Sequence, residues 1–220
     1  MIFADRKDAG ERLAKELAKS LEIEEVKKHA LVLALPRGGL PIGAAIRDAL
    51  KIPMDAFLVK KIGAPGYSEL AMGALAMDGT RIINQDVLRM FNPSQSEVEQ
   101  LTKNAQTQLH YQNKIYRKDR PISDVKNKII ILVDDGLATG ATMRAAIAGI
   151  KKMSPKKIIV AVPVAATDTY HQIEKEVDEI VCLYSTDAFS SVGQWYNDFS
   201  QVTDEEADKF LKDSNSSMHS

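Results

Sequence analysis

The sequence predicts an α/β domain built on a mostly parallel five-stranded sheet flanked by helices, with a β-hairpin insertion and a small C-terminal appendage. Three observations carry that expectation. Five short, unbroken apolar runs recur along the chain, the form a strand takes when both of its faces are buried. Segments with helical spacing separate them, and this alternation is the mark of parallel strands joined by crossovers. A length of 220 residues, 45% apolar and 27% charged, suits a single domain with a full core, and no internal repeat or long linker interrupts it.

Leu13, Leu17 and Leu21 stand four apart among charged residues, which predicts an amphipathic helix over residues 8–21. Ala30-Leu31-Val32-Leu33-Ala34-Leu35 is the first strand, stopped by Pro36 and Gly38-Gly39. Residues 41–50 read as a helix that tolerates Pro41 in its first turn, and Ala56-Phe57-Leu58-Val59 as the second strand. Two apolar stretches between Met72 and Ile83 flank Asp78-Gly79, a hairpin signal. Ser94 and Glu97 have capping-box spacing at the start of a long helix whose buried stripe is Val98, Leu101, Ala105 and Leu109. The alternation then resumes with a strand at 129–133, a helix at 139–153, a strand at 158–162, a helix at 168–175 and a strand at 180–183. Within one domain over 1–220, the expected core covers about 28–185, followed by the appendage at 186–212 and a fraying serine-rich tail at 213–220.

The charges nearly cancel, 29 basic against 30 acidic, so no bulk field favours nucleic acid or an acidic membrane. No apolar run approaches the roughly 20 residues of a membrane span, and residues 1–15 lack the apolar centre of a signal peptide. Cys182 is the only cysteine and lies in an apolar run, which reads as core. The expected location is the cytoplasm. His29, His110, His171 and His219 show no ligand spacing with cysteine or acid and read as surface or structural residues.

One segment joins an apolar strand, two carboxylates, a glycine-containing turn and a helix: residues 129–142. In open α/β sheets, ligands bind beyond the carboxyl ends of the strands. Here the amides of Gly136, Leu137, Ala138, Thr139, Gly140, Ala141 and Thr142 can gather around one anion, aided by the helix dipole and by two threonine hydroxyls. Asp134 and Asp135 are acceptors only, so their natural partner is a pair of sugar hydroxyls, with or without a cation. Phosphate, diol and acidic pair together describe a ribose 5-phosphate. A structural turn with two surface aspartates is the bland alternative. The segment is neither a P-loop, since no Lys-Ser/Thr follows the glycines, nor a dinucleotide fingerprint.

Ile130-Ile131-Leu132-Val133-Asp134-Asp135-Gly136-Leu137-Ala138-Thr139-Gly140 resembles the signature of the type I phosphoribosyltransferases, and the resemblance extends over most of the chain. It is strongest to the branch of predicted phosphoribosyltransferases with no assigned substrate. The resemblance implies the type I phosphoribosyltransferase fold, with Asp134 and Asp135 on the ribose hydroxyls and residues 136–142 around the 5-phosphate. Two departures stand out. Gly136 replaces a bulky apolar residue, which is expected to loosen the loop, and Ala138 replaces the Asp of the 6-oxopurine enzymes.

The same resemblance makes Arg37-Gly38-Gly39 the pyrophosphate loop, with a cis Pro36–Arg37 peptide; the alternative is a tight turn with an exposed arginine. It makes residues 62–84 a lid and hairpin segment, entered from Lys60-Lys61, one of which touches pyrophosphate if the pair is not simply solvated. It makes the appendage a nucleobase hood, in which Trp195 stacks on a base or, with Phe199, anchors the segment to the core. The implied reaction is magnesium-dependent transfer of ribose 5-phosphate from phosphoribosyl pyrophosphate to a nitrogenous base, with Asp134, Asp135, Arg37 and Lys61 as the catalytic set. Such folds often pair as homodimers. A module that binds phosphoribosyl pyrophosphate without turnover is the alternative, and an unrelated nucleotide-binding domain a remoter one.

Overall fold

The computed structural model describes residues 2–20 and 28–215. The chain runs α1 (Arg6–Ser20), β1 (Ala30–Ala34), α2 (Gly39–Leu50), β2 (Met54–Ala56), β3 (Val59–Ala64), β4 (Tyr67–Ala76), β5 (Arg81–Ile83), α3 (Gln85–Phe91) and α4 (Gln95–Gln112). After a π turn at Asn113–Arg117 come β6 (Ile129–Val133), α5 (Ala141–Lys152), β7 (Lys157–Ala166), α6 (Thr167–Glu174), β8 (Glu179–Thr186), a 3-10 turn at Val192–Trp195 and α7 (Asp204–Asn215). Leu21, the last residue of the expected first helix, lies outside the described residues, as does the tail beyond Asn215. Helix α7 occupies the first three residues of the segment expected to fray, 213–215.

Five strands form the parallel sheet in the order β2-β1-β6-β7-β8. The apolar runs are unbroken because both faces are covered. Val32, Ala34, Ile131 and Val133 face one cluster, with Leu13 and Leu17 of α1, Ile42 and Ile46 of α2, and Leu211 of α7. Leu31, Leu33, Ile130 and Leu132 face the other, with Met143, Ile147 and Ile150 of α5 and Ile173 of α6. Alternation of period two thus divides one apolar string between two cores.

Two strand assignments change. Pairing in the second strand covers Met54 to Ala56 and stops there. Phe57 N still donates to Ala34 O at 3.0 Å, whereas Met77 N donates to Leu58 O at 2.9 Å, so the chain crosses here from one sheet to another. That second sheet is antiparallel, β3-β4-β5, and includes Lys60 and Lys61, expected at the end of the second strand. Asp78-Gly79 forms the expected turn between β4 and β5, with Gly79 at φ 86°. The capping box is present: Ser94 accepts from Glu97 N, and Glu97 from Ser94 N. On α4, Ala105 and Leu109 are buried, with Val98 and Leu101 partly so. Cys182 is only half-buried on β8, where burial pushes its thiol up to about 11. Among the described residues, no helix is long and apolar enough to cross a membrane.

The strand order brings two loops together. From β1 the chain turns outward to β2, and from β6 it turns the other way to β7 and β8. The loops after β1 and β6 therefore leave the sheet side by side, at the switch point where such sheets bind ligands.

Candidate active site

The loops after β1 and β6 are in direct contact. Leu35 N donates to Val133 O at 2.9 Å, carrying the pairing one residue past the end of β1. The Pro36–Arg37 peptide is cis. Gly38 and Gly39 are glycines for lack of room. A Cβ on Gly38 would collide with Asp135 Oδ2, and one on Gly39 would lie 2.6 Å from Val133 O. The Arg37-Gly38-Gly39 loop is thereby pressed against the acidic pair.

Asp134 and Asp135 lie largely out of water. Burial and then the charge of Asp135 raise the Asp134 carboxyl well above the usual carboxylate range. Burial also raises Asp135, although less freely, because Arg6 opposes it. Asp134 Oδ1 accepts from Asp135 N at 2.9 Å. Arg6 Nε donates to Asp135 Oδ2 at 2.9 Å, and Tyr196 Oη donates to the Asp135 carbonyl at 2.7 Å. Neither partner was legible in the sequence. Each lies far along the chain, in an element with no motif of its own.

Residues 136–142 form a loop held at fixed points. Leu137 is buried, its N–H donates to Val164 O at 2.9 Å, and its carbonyl accepts from Ala166 N at 2.9 Å. Both of its backbone groups serve the sheet, so it anchors the loop. Thr169 Oγ1 donates to Ala138 O at 2.5 Å, and Gly140 takes the left-handed conformation, φ 68°, that admits the chain into α5. Ala138 and Thr139 form the exposed tip. Helix α5 has no side-chain cap at Gly140, and the amides of its first turn lack intrahelical acceptors by geometry. Gly136 does not loosen this loop. Val192 and Val164 fill the space a larger residue would need, at 2.7 and 2.9 Å from a Cβ position.

Lys60 and Lys61 line a cavity of about 700 Å³ together with Pro36 of the first loop and Thr142 of the second. Asn104 and Gln108, one turn apart on α4, line it too. A basic strand, two anion-competent loops and a polar helix face thus enclose one volume. Arg37 points elsewhere: its Nη1 lies 3.5 Å from Asp204 Oδ1 on α7, which also accepts from Tyr116 Oη at 2.6 Å. Trp195 packs on Tyr184 and Phe189, with centroids 4.9 and 6.3 Å away, and its carbonyl accepts from Ile2 N and Phe3 N. These are anchoring contacts. Its neighbours Val192 and Tyr196 are the residues that touch the acidic loop. The three histidines within the described residues are exposed.

The sequence matches the family described as "Phosphoribosyl transferase domain" over residues 2–198. It is 35% identical over 210 residues to "Putative phosphoribosyl transferase Rv0571c" of Mycobacterium tuberculosis, covering 96% of this chain and 46% of that protein. The chain therefore spans about half the length of the curated relatives it matches. Among solved structures, TT1426 from Thermus thermophilus is 35% identical and superposes with a TM-score of 0.80, over 97% of this chain and 99% of that one. AQ2163 from Aquifex aeolicus, 16% identical, shares the fold with a TM-score of 0.50 over 82% of this chain and 74% of its own.

Proposed function

The chain belongs to the phosphoribosyl transferase domain family, and on that premise we propose that it binds phosphoribosyl pyrophosphate and transfers its ribose 5-phosphate to a nitrogenous base, releasing pyrophosphate. The observation that carries this is the junction of the two loops at the switch point, opening on the cavity that Lys60, Lys61 and Thr142 share. Asp134 and Asp135 accept hydrogen bonds from the ribose diol. The amides from Ala138 to Thr142 and the threonine hydroxyls hold the 5-phosphate. Lys60 or Lys61 meets the pyrophosphate from the cavity wall.

Among the described residues, no cluster of three His, Cys, Asp or Glu is placed to hold a metal. The acidic pair offers two carboxylates, one already paired with Arg6, and this donor set fits a cation carried mainly by the substrate's own oxygens. Magnesium bound in that way supplies charge to offset the departing pyrophosphate. The chain's own residues do the rest. Displacement at the anomeric carbon breaks the C–O bond to pyrophosphate and forms a C–N bond to the base, through positive charge on the ribose ring. Two aspartates beneath that ring favour the charge. The base gives up a proton in the step, and with Ala138 in the position the 6-oxopurine enzymes fill with Asp, another acceptor takes it.

One observation favours the second reading, a module that binds phosphoribosyl pyrophosphate without turnover: Arg37 is engaged by Asp204. Arg37 must leave that partner before it can assist pyrophosphate. Pyrophosphate release from phosphoribosyl pyrophosphate and magnesium, measured over a panel of nitrogenous bases, separates the two. Base-dependent release supports the transferase. Tight binding with no release under any base supports the module.

A further inference from the structure

We propose that Arg6 is a positioning residue for the acidic pair: it fixes the Asp135 carboxylate between the Arg37-Gly38-Gly39 loop and the C-terminal segment, so that diol binding depends on the first turn of α1. This rests on the phosphoribosyl pyrophosphate reading of the site.

The Arg6 guanidinium makes three kinds of contact at once. Its Nε donates to Asp135 Oδ2 at 2.9 Å, its Nη1 donates to Ser200 O at 2.8 Å, and its carbon lies 3.9 Å from the Phe199 ring centroid. The pair is shielded, with the two side chains 11% and 15% exposed. Asp135 is gripped from its other sides as well. Tyr196 Oη holds its carbonyl, and the bare Cα of Gly38 leaves only enough room for its carboxylate. One side chain therefore ties together the start of α1, the acidic pair and the residues after Tyr196. A planar fork can do this and a lysine ammonium cannot, since the bonds diverge and the flat face must stack on Phe199.

The test is calorimetric titration of magnesium phosphoribosyl pyrophosphate on wild type, Arg6→Gln and Arg6→Lys. Arg6→Gln is expected to weaken binding about tenfold or more. Arg6→Lys keeps the positive charge but loses the fork and the stack, and should not restore the affinity. In an Asp135→Asn background the same Arg6→Gln change should cost little more, because its target is gone. Phe199→Leu keeps the charge and removes the stack, and a few-fold loss of affinity is expected even if Arg6→Gln fails to fold. Wild-type affinity in folded Arg6→Gln, or an equal cost in both backgrounds, would overturn the proposal. A wild type that does not bind at all removes the substrate reading and this proposal with it.

Discussion

Asp134 and Asp135 follow directly on a strand whose five residues are buried, and two adjacent carboxylates there oppose folding as long as both are ionised. A carboxyl raised in the folded state costs stability in full above its folded pKa and nothing below its ordinary value of about 3.9. Asp134→Asn is therefore expected to stabilise the protein at neutral pH by about 1 kcal/mol. The gain should shrink as the pH falls toward that lower value. Asparagine keeps an oxygen to accept from Asp135 N, so little else is lost. Thermal melts at pH 7.5 and at acid pH check the sign, and a variant less stable than wild type at neutral pH refutes it. At Gly38 the prediction is steric. A methyl group there collides with Asp135 Oδ2 and must displace the carboxylate, so Gly38→Ala should cost about 1–3 kcal/mol and weaken phosphoribosyl pyrophosphate binding together with it. The acidic pair was legible as residues; its setting was not. Arg6 is 129 positions from Asp135, and nothing in a string of letters distinguishes it from the other arginines.

The loop over residues 136–142 is tied to β7 and α6 at two successive residues. Leu137 bridges to Ala165, and Thr169 Oγ1 reaches Ala138 O. Thr169→Val keeps the methyl group against Gly140 and removes the hydroxyl. It should cost about 1 kcal/mol of stability and a larger share of phosphate affinity. Inorganic phosphate and phosphoribosyl pyrophosphate titrations would show this, and unchanged affinity for both would mean that the loop needs no such strut. At this scale the sequence is a good guide where local rules operate alone. Ser94 and Glu97 announce the start of α4, and Asp78-Gly79 the hairpin. It misleads where tertiary pairing decides. The run from Ala56 to Val59 is uniformly apolar, so no local signal marks the crossing at Phe57-Leu58 between sheets. Lys60 and Lys61 hide β3, because a strand walling a polar cavity need not look apolar. Gly136 resembles a weakness in the loop until Val192, more than fifty residues on, is seen to occupy its space.

Across the whole molecule, the parallel sheet places two loops together, and the antiparallel sheet with α4 walls off the volume in front of them. A buried ion pair joins these layers: Arg117, after α4, brings its Nη1 to 2.5 Å from Asp55 of β2, and the same nitrogen donates to Ala56 O at 2.8 Å while Nη2 donates to Pro121 O at 2.5 Å. Ser123 also donates to Asp55. With Arg117 and Asp55 only 1% and 4% exposed, Arg117→Met leaves the buried carboxylate to Ser123 and to the more distant Arg120, 3.8 Å away, and should destabilise by about 3 kcal/mol. Urea unfolding measures it, and a loss below 1 kcal/mol would show that the pair is not structural. The five-stranded parallel sheet follows from composition and alternation alone, whereas the meeting of its two loops needs the strand order, which no short-range pattern encodes. That meeting underlies the central claim. It is tested most directly by titrating magnesium phosphoribosyl pyrophosphate into wild type and into the Asp134→Asn/Asp135→Asn double variant in a calorimeter. Saturable binding by the wild type, lost in a double variant that remains folded, is the predicted result; a folded wild type that takes up no ligand, or a double variant that binds equally well, contradicts it.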